Sequence, residues 1–360
     1  MKKNQAIRLV CFSLCIILVV AFLSQIFHYD KAHMRNRLYT YTQLEDDTVD
    51  GVIIGTSGIH CFWIPGQGYT ENGIAMYTLT INGMQVYHIL PMLKYAQKYQ
   101  DIKVACIDMR PFLVSDSTEN MEVRSRYFNE LLPIYSPLRI ETTNRTLKYM
   151  SQLTDTGRFD LSYYFCVLRY HDMWQDDLNF GVLESAFTNT YGYLLANTAT
   201  KVKTLPERAY TDETQDIQPY CLECLEELIA YADENDIELI FVHTPHYIDE
   251  DAAARNNWLI EYLTENGIPY MDCNSKSGVQ TYPFDNETDF YDKNHANYAG
   301  ASKFTSYLGE YLATNHRDLF PDRRTDSNYD CWAKAYKKML QKAVNTYGVD
   351  VDIDELTAIN

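Results

Sequence analysis

The sequence predicts an α/β fold built on a parallel, doubly wound sheet. Two observations carry this: short apolar runs rich in Val, Ile and Leu stand between turn residues, and helical patterns separate them. Strands covered on both faces and alternating with helices form parallel sheets. Ligands of such sheets bind at the carboxyl ends of the strands.

The expected strands are 52–55, 75–79, 104–108, 239–242 and 269–271, and the expected helices are 86–99, 219–232, 252–265 and 298–312. Pro219 suits a first helical position, and Leu222, Leu225 and Ile229 follow at helical spacing. Between about 115 and 215 the alternation breaks and tyrosines accumulate, among them Tyr127, Tyr149, Tyr163, Tyr164 and Tyr170. That stretch reads as a largely helical insertion or lid. After residue 316 come a polar connector, a helix over 331–344 and an acidic tail. The expected organisation is a stub and membrane anchor at 1–28, a tether at 29–47 and a sheet domain in two parts, 48–114 and 216–315. The insertion at 115–215 separates those parts, and 316–360 completes the chain.

Residues 9–27 contain no charge, and at about 1.5 Å per residue they nearly span a ~30 Å hydrocarbon core. An apolar stretch of this length, followed by a poor cleavage pattern at Ala21-Phe22-Leu23, reads as a single-pass anchor. A cleaved signal peptide is the alternative. Lys2, Lys3 and Arg8 before the segment are partly balanced by Lys31, Arg35 and Arg37 after it. The expectation is a cytoplasmic N-terminus, with the larger part of the chain at the cell membrane but outside the cytoplasm.

The 360 residues are 46% hydrophobic and 22% charged, enough for a real core and about two domains. The net charge is -18, and residues 31–360 alone hold 28 basic and 48 acidic groups. That excess argues against nucleic acid or anionic lipid head groups as the main partner. Cys221 and Cys224 form a lone CxxC on an amphipathic helix, where buried thiols are expected rather than redox chemistry; the pattern leaves open a single disulfide between distant cysteines.

Two short motifs can carry chemistry. Gly55-Thr56-Ser57-Gly58 follows the first strand, where a serine between small residues presents its Oγ at the sheet edge. Asp289-Phe290-Tyr291-Asp292-Lys293-Asn294-His295 precedes the last helix. In its Asp-x-x-His turn the Asp292 carboxylate can fix the His295 tautomer so that Nε2 faces a nucleophile. His243 and His246 could join Asp292 and His295 in a metal site, but their spacing matches no specific zinc pattern and a Pro-containing turn explains them as scaffold. No metal and no cofactor is expected. Trp63, Tyr87 and Tyr291 could stack on sugars or simply pack. Asn144-Arg145-Thr146 and Asn286-Glu287-Thr288 are formal glycosylation sequons.

IIGTSGIHCFWIP, AMYTLTINGMQ, KVACIDMRPF and DFYDKNHANYAGASKFTSYL resemble the successive blocks of the SGNH/GDSL hydrolase superfamily. They are most similar to its membrane-anchored bacterial branch, which includes DltD-like and alginate-acetylation proteins. The resemblance covers roughly 50–112 and 217–312. It implies a flavodoxin-like three-layer sandwich with a parallel sheet, Ser57 as nucleophile, His295 as base and Asp292 as acid. It also implies an oxyanion hole drawing on Asn82 and Gly83. Two positions depart from the family: Gly58 stands where many relatives have His, with His60 the nearest imidazole, and Asp108-Met109-Arg110 replaces the third-block asparagine. Arg110 is expected to make a structural salt bridge.

The implied activity is that of an extracytoplasmic serine esterase or O-acyltransferase acting on acyl groups of cell-envelope glycans. The rival expectation is a catalytically weak module that binds glycans or assists a membrane acyltransferase.

Overall fold

The computed structural model describes residues 3–27, 32–114, 120–172 and 190–351. In chain order, the first elements are α1 (Lys3–Ile26), α2 (Ala32–Tyr41), β1 (Gly51–Gly55), α3 (Ser57–Phe62), α4 (Pro65–Asn72), β2 (Met76–Thr80), α5 (Ile89–Tyr99) and β3 (Val104–Asp108). Four helices follow: α6 (Met121–Leu131), α7 (Pro137–Leu153), α8 (Leu161–Tyr164) and α9 (Val167–Tyr170). The chain then returns to alternation with α10 (Pro219–Glu234), β4 (Glu238–His243), α11 (Glu250–Glu265), β5 (Tyr270–Asp272) and α12 (Lys276–Thr281). It ends with β6 (Phe290–Asp292), β7 (His295–Ala296), α13 (Tyr298–Asn315) and α14 (Asp330–Tyr347). Two compact units result, one from Met1–Arg35 with Thr118–Ser185 and one from Asn36–Ser117 with Ala186–Asn360.

The second unit holds a five-stranded, all-parallel sheet in the order β2-β1-β3-β4-β5. This is the order of flavodoxin-like doubly wound sheets. Side chains alternate between faces along each strand. Ile53, Cys106, Ile240 and Val242 share one core with Ile59 and Phe62 of α3, Phe304 and Leu308 of α13, and Tyr336 and Leu340 of α14. Val52, Ile54, Ala105, Ile107 and Phe241 are also buried and point to the opposite face, where α5 packs on β1 and α10 on β4. Burial on both faces explains why the strands read as unbroken apolar runs.

All five expected strands form, with ends within a residue or so of the sequence reading. Two expectations need correction. Residues 32–41 of the expected 29–47 tether form helix α2, whose Leu38 and Tyr41 are buried; the Tyr41, Tyr77 and Tyr95 hydroxyls donate to Ala96, Arg37 and Leu38 carbonyls. Of the described residues of the 115–215 insertion, 120–172 are largely helical, whereas 190–215 form no helix. That second stretch lies along the sheet unit, because its amides find distant acceptors: Lys203 donates to Phe290, Leu205 to Asn286 and Ala209 to Ile248. Backbone groups paired at long range are unavailable to a helical ladder. The expected helix over 331–344 forms as α14, which packs on α4, with Trp332 buried and its indole donating to the Thr48 carbonyl.

The first unit contains α1 and α6–α9. Arg126 is its buried centre, 3.6 Å above the Tyr163 ring and bonded to Ser162, and Arg139 donates to Cys166 Sγ. α1 is long and apolar enough to cross a membrane. All nine cysteines are free thiols, with Cys221 and Cys224 buried.

Candidate active site

β1 ends at Gly55, and Thr56 then caps α3, its Oγ1 accepting the Gly58 amide at 3.2 Å. A small polar N-cap here stops the strand and starts the helix within one residue. Ser57 is thereby the first residue of α3, at the carboxyl edge of the sheet. As a first-turn residue its amide has no acceptor within the helix.

His295 and Asp292 face each other across the short antiparallel β6–β7 hairpin, which the sequence reading had only as a turn. The Ser57 hydroxyl lies 2.8 Å from His295 Nε2, and His295 Nδ1 is 2.9 Å from both Asp292 carboxylate oxygens. With the proton on Nδ1, the ring donates to Asp292 and accepts from Ser57. Partial burial works to raise the Asp292 pKa, but the His295 ring and the Asn294 amide, 2.7 Å away, hold it below the ordinary value. The Tyr291 ring stacks on the imidazole with centroids 5.4 Å apart, and its hydroxyl is 3.6 Å from Cys61 Sγ. Burial pushes the Cys61 thiol up to about 12, so it stays protonated.

Two residues at the end of β3 brace this arrangement. Asp108 accepts the Thr56 amide at 2.9 Å and the Thr56 hydroxyl at 2.6 Å, and its other oxygen accepts the Arg110 amide at 3.1 Å. Among the described residues, Arg110 makes no salt bridge through its guanidinium, contrary to expectation. It donates instead to backbone carbonyls: Asn294 at 2.9 Å, and Thr244 and Pro245 at 3.4 Å. Burial pushes its pKa down to about 10, with Asp108 acting in the opposite direction. Gly58 lies directly against this guanidinium, with no room for a Cβ.

Asn82 and Gly83 sit in the turn after β2. Thr80 pairs with Gly55, so this turn and the Ser57 turn leave adjacent strands at one edge. Gly83 has φ 59°, which favours glycine, and the Met84 amide closes the turn on the Ile81 carbonyl at 3.1 Å.

The remaining candidates are scaffold. His60 is buried, with Nδ1 2.9 Å from Thr80 Oγ1. Trp63 and Tyr87 are fully buried, out of reach of a sugar face, and the Trp63 indole donates to the Met76 carbonyl. His243 Nδ1 pairs with Asp272 at 3.0 Å, and the His246 ring lies edge-on to His243. Among the described residues no group of three or more His, Cys, Asp and Glu is placed to hold a metal. A cleft of about 580 Å³ opens between α11 and α12 at the β5 edge, and its lining contains none of Ser57, Asp292 and His295.

The sequence marks Asp108 only within the departure from the third block and Tyr291 only as a ring that stacks on sugars or packs, and gives neither a place beside Ser57 and His295. Asp108 had a usable signal, since an acid at the carboxyl end of the strand beside β1 must lie near whatever follows β1. Comparison with known proteins found no matching family model, no matching curated protein and no matching solved structure.

Proposed function

We propose that this chain is a membrane-anchored, extracytoplasmic SGNH-type serine esterase or O-acyltransferase acting on acyl groups of cell-envelope glycans. The observation that supports it is the continuous relay Ser57 Oγ to His295 Nε2 and His295 Nδ1 to Asp292. Those are the contacts a serine nucleophile, its base and the base's orienting acid require.

In the proposed mechanism Ser57 Oγ attacks the acyl carbonyl as His295 Nε2 takes its proton. Asp292 stabilises the resulting imidazolium. The Ser57 amide, with Asn82 and Gly83 from the neighbouring turn, stabilises the tetrahedral oxyanion. Collapse breaks the ester bond, and the leaving alkoxide takes the proton from His295, leaving an acyl-serine. Water or a sugar hydroxyl, deprotonated by His295, then attacks the acyl-serine and releases Ser57. The same residues serve hydrolysis and transfer. α1 would tether the chain to the membrane that envelope polymers and any membrane acyltransferase partner share.

Treatment of the full-length chain with a fluorophosphonate probe tests the reading. The expected result is a phosphonyl adduct on Ser57, absent in Ser57→Ala. No Ser57 adduct under conditions that label a control serine hydrolase would overturn it in favour of a non-catalytic accessory module. Acetyl-ester turnover with and without a sugar acceptor then separates transfer from hydrolysis.

A further inference from the structure

The tyrosine-rich stretch has no part in the proposed chemistry, yet its end has a distinct pattern. Residues 158–170 read RFDLSYYFCVLRY, mostly aromatic and aliphatic with an arginine near each end. Aromatic side chains flanked by basic ones are the usual composition of protein at a bilayer's headgroup level.

α8 and α9 divide that segment into two faces. Tyr163 and Cys166 point inward, held by Arg126 and Arg139. On the other side Phe159 is 79% exposed, Leu161 59% and Leu168 49%. Three large apolar side chains are thus exposed within ten residues, beside a packed inner face.

The position of the segment points to what covers them. α9 packs on α1, and the Val167 amide donates to Ser24 Oγ at 3.3 Å. Every residue of α1 from Ile7 to Val19 is exposed, whereas from Val20 to Phe27 all but Phe22 and Gln25 are at least partly covered. The exposed run accounts for about 20 Å, but a hydrocarbon core of about 30 Å takes about 20 residues. Counted from Asn4, the core ends near Leu23; counted from Leu9, it ends just beyond Phe27. On either count its boundary falls within or at the edge of the stretch that α9 covers.

We propose that residues 158–170 form a second membrane contact, laying Phe159, Leu161 and Leu168 into the headgroup–acyl boundary of the bilayer that α1 crosses. Arg158, also exposed, is placed to meet lipid phosphate. This contact holds the helical unit flat on the lipid surface and turns a single-helix anchor into a two-point one. It rests on α1 as a membrane span and is independent of the hydrolase reading and of which end faces the cytoplasm.

The full-length chain carrying Phe159→Trp, reconstituted in phosphatidylcholine nanodiscs, provides the test. The lipids are unbrominated, brominated near the glycerol end of the acyl chains, or brominated at the chain ends, and wild type supplies the baseline for the native tryptophans. The expected result is that the added indole emission falls by about half or more with shallow bromine and less with deep bromine, as burial of ~5–10 Å into the interface requires. Added emission that neither bromine position reduces would overturn the proposal, and so would quenching strongest at the chain ends. If Phe159→Trp fails to fold by circular dichroism, Leu161→Trp is read by the same criteria.

Discussion

Gly58 and Arg110 are in such close contact that a Cβ on the glycine would land on the guanidinium. The same guanidinium donates to the Asn294 carbonyl, inside the turn that joins Asp292 to His295. Any side chain at 58 must therefore displace the brace between the nucleophile's helix and the acid–base hairpin. Gly58→Ala is expected to keep the fold by circular dichroism but lose about 100-fold in kcat on acetyl esters, because a shift of ~1 Å in a reacting pair costs about that much. Arg110→Lys is expected to lose activity as well, since a point charge cannot replace a planar fork spread over three carbonyls.

Asp292 orients His295 and carries no proton itself. Asp292→Asn removes the carboxylate that selects the Nδ1–H tautomer, and a fall of about 10⁴ in kcat is expected. The Asp292 carboxyl is held below its ordinary value, so it stays ionised, and its contribution stays intact, until the pH drops below about 4. The wild-type pH–rate profile should accordingly show no inflection from Asp292 above that pH.

A second His–Asp pair has a structural consequence instead. Burial alone would raise the Asp272 pKa, but the His243 ring and Ser275 hold it down at about 2. A carboxyl depressed in the folded state adds stability above its unfolded value near 4, and that stability disappears as the pH falls through about 2. At pH 7 Asp272→Asn should cost roughly 2–3 kcal/mol in urea unfolding. The gap between variant and wild type should narrow between about pH 4 and pH 2.

Thiol reagents should discriminate sharply between cysteines. Cys61 lies beside Tyr291 at the site but is buried and protonated, whereas Cys331 is exposed. Iodoacetamide at pH 8 is expected to modify Cys331 and leave Cys61 unmodified by mass spectrometry, with Ser57 labelling unchanged.

How much could be read in advance depends on the distance over which each feature is determined. The β1, β3 and β4 runs announce themselves because strands buried on both faces need apolar residues at every position. Asp292 and His295 are legible as a pair because three residues separate them and the hairpin is local. The 190–215 stretch differs from its helical expectation because its conformation is imposed by acceptors such as Phe290 and Asn286, far away in the chain. α2 reads as a tether because its partners lie far along the chain: Tyr41 donates to the Ala96 carbonyl, and the Arg37 and Leu38 carbonyls accept from Tyr77 and Tyr95.

By itself the sequence determined the alternation of strands and helices, the apolar α1 segment, and the two short motifs that hold Ser57 and the Asp292–His295 pair. Each of these depends on local periodicity, capping or turn chemistry. Only the tertiary structure decided that Ser57 and His295, 238 positions apart, stand within a hydrogen bond of each other. It alone also turned Asp108 and Arg110 into braces and set the Arg110 guanidinium where a Cβ at position 58 would fall. Strand order and register set those relationships, and both come from packing across the sheet, which local spacing does not encode.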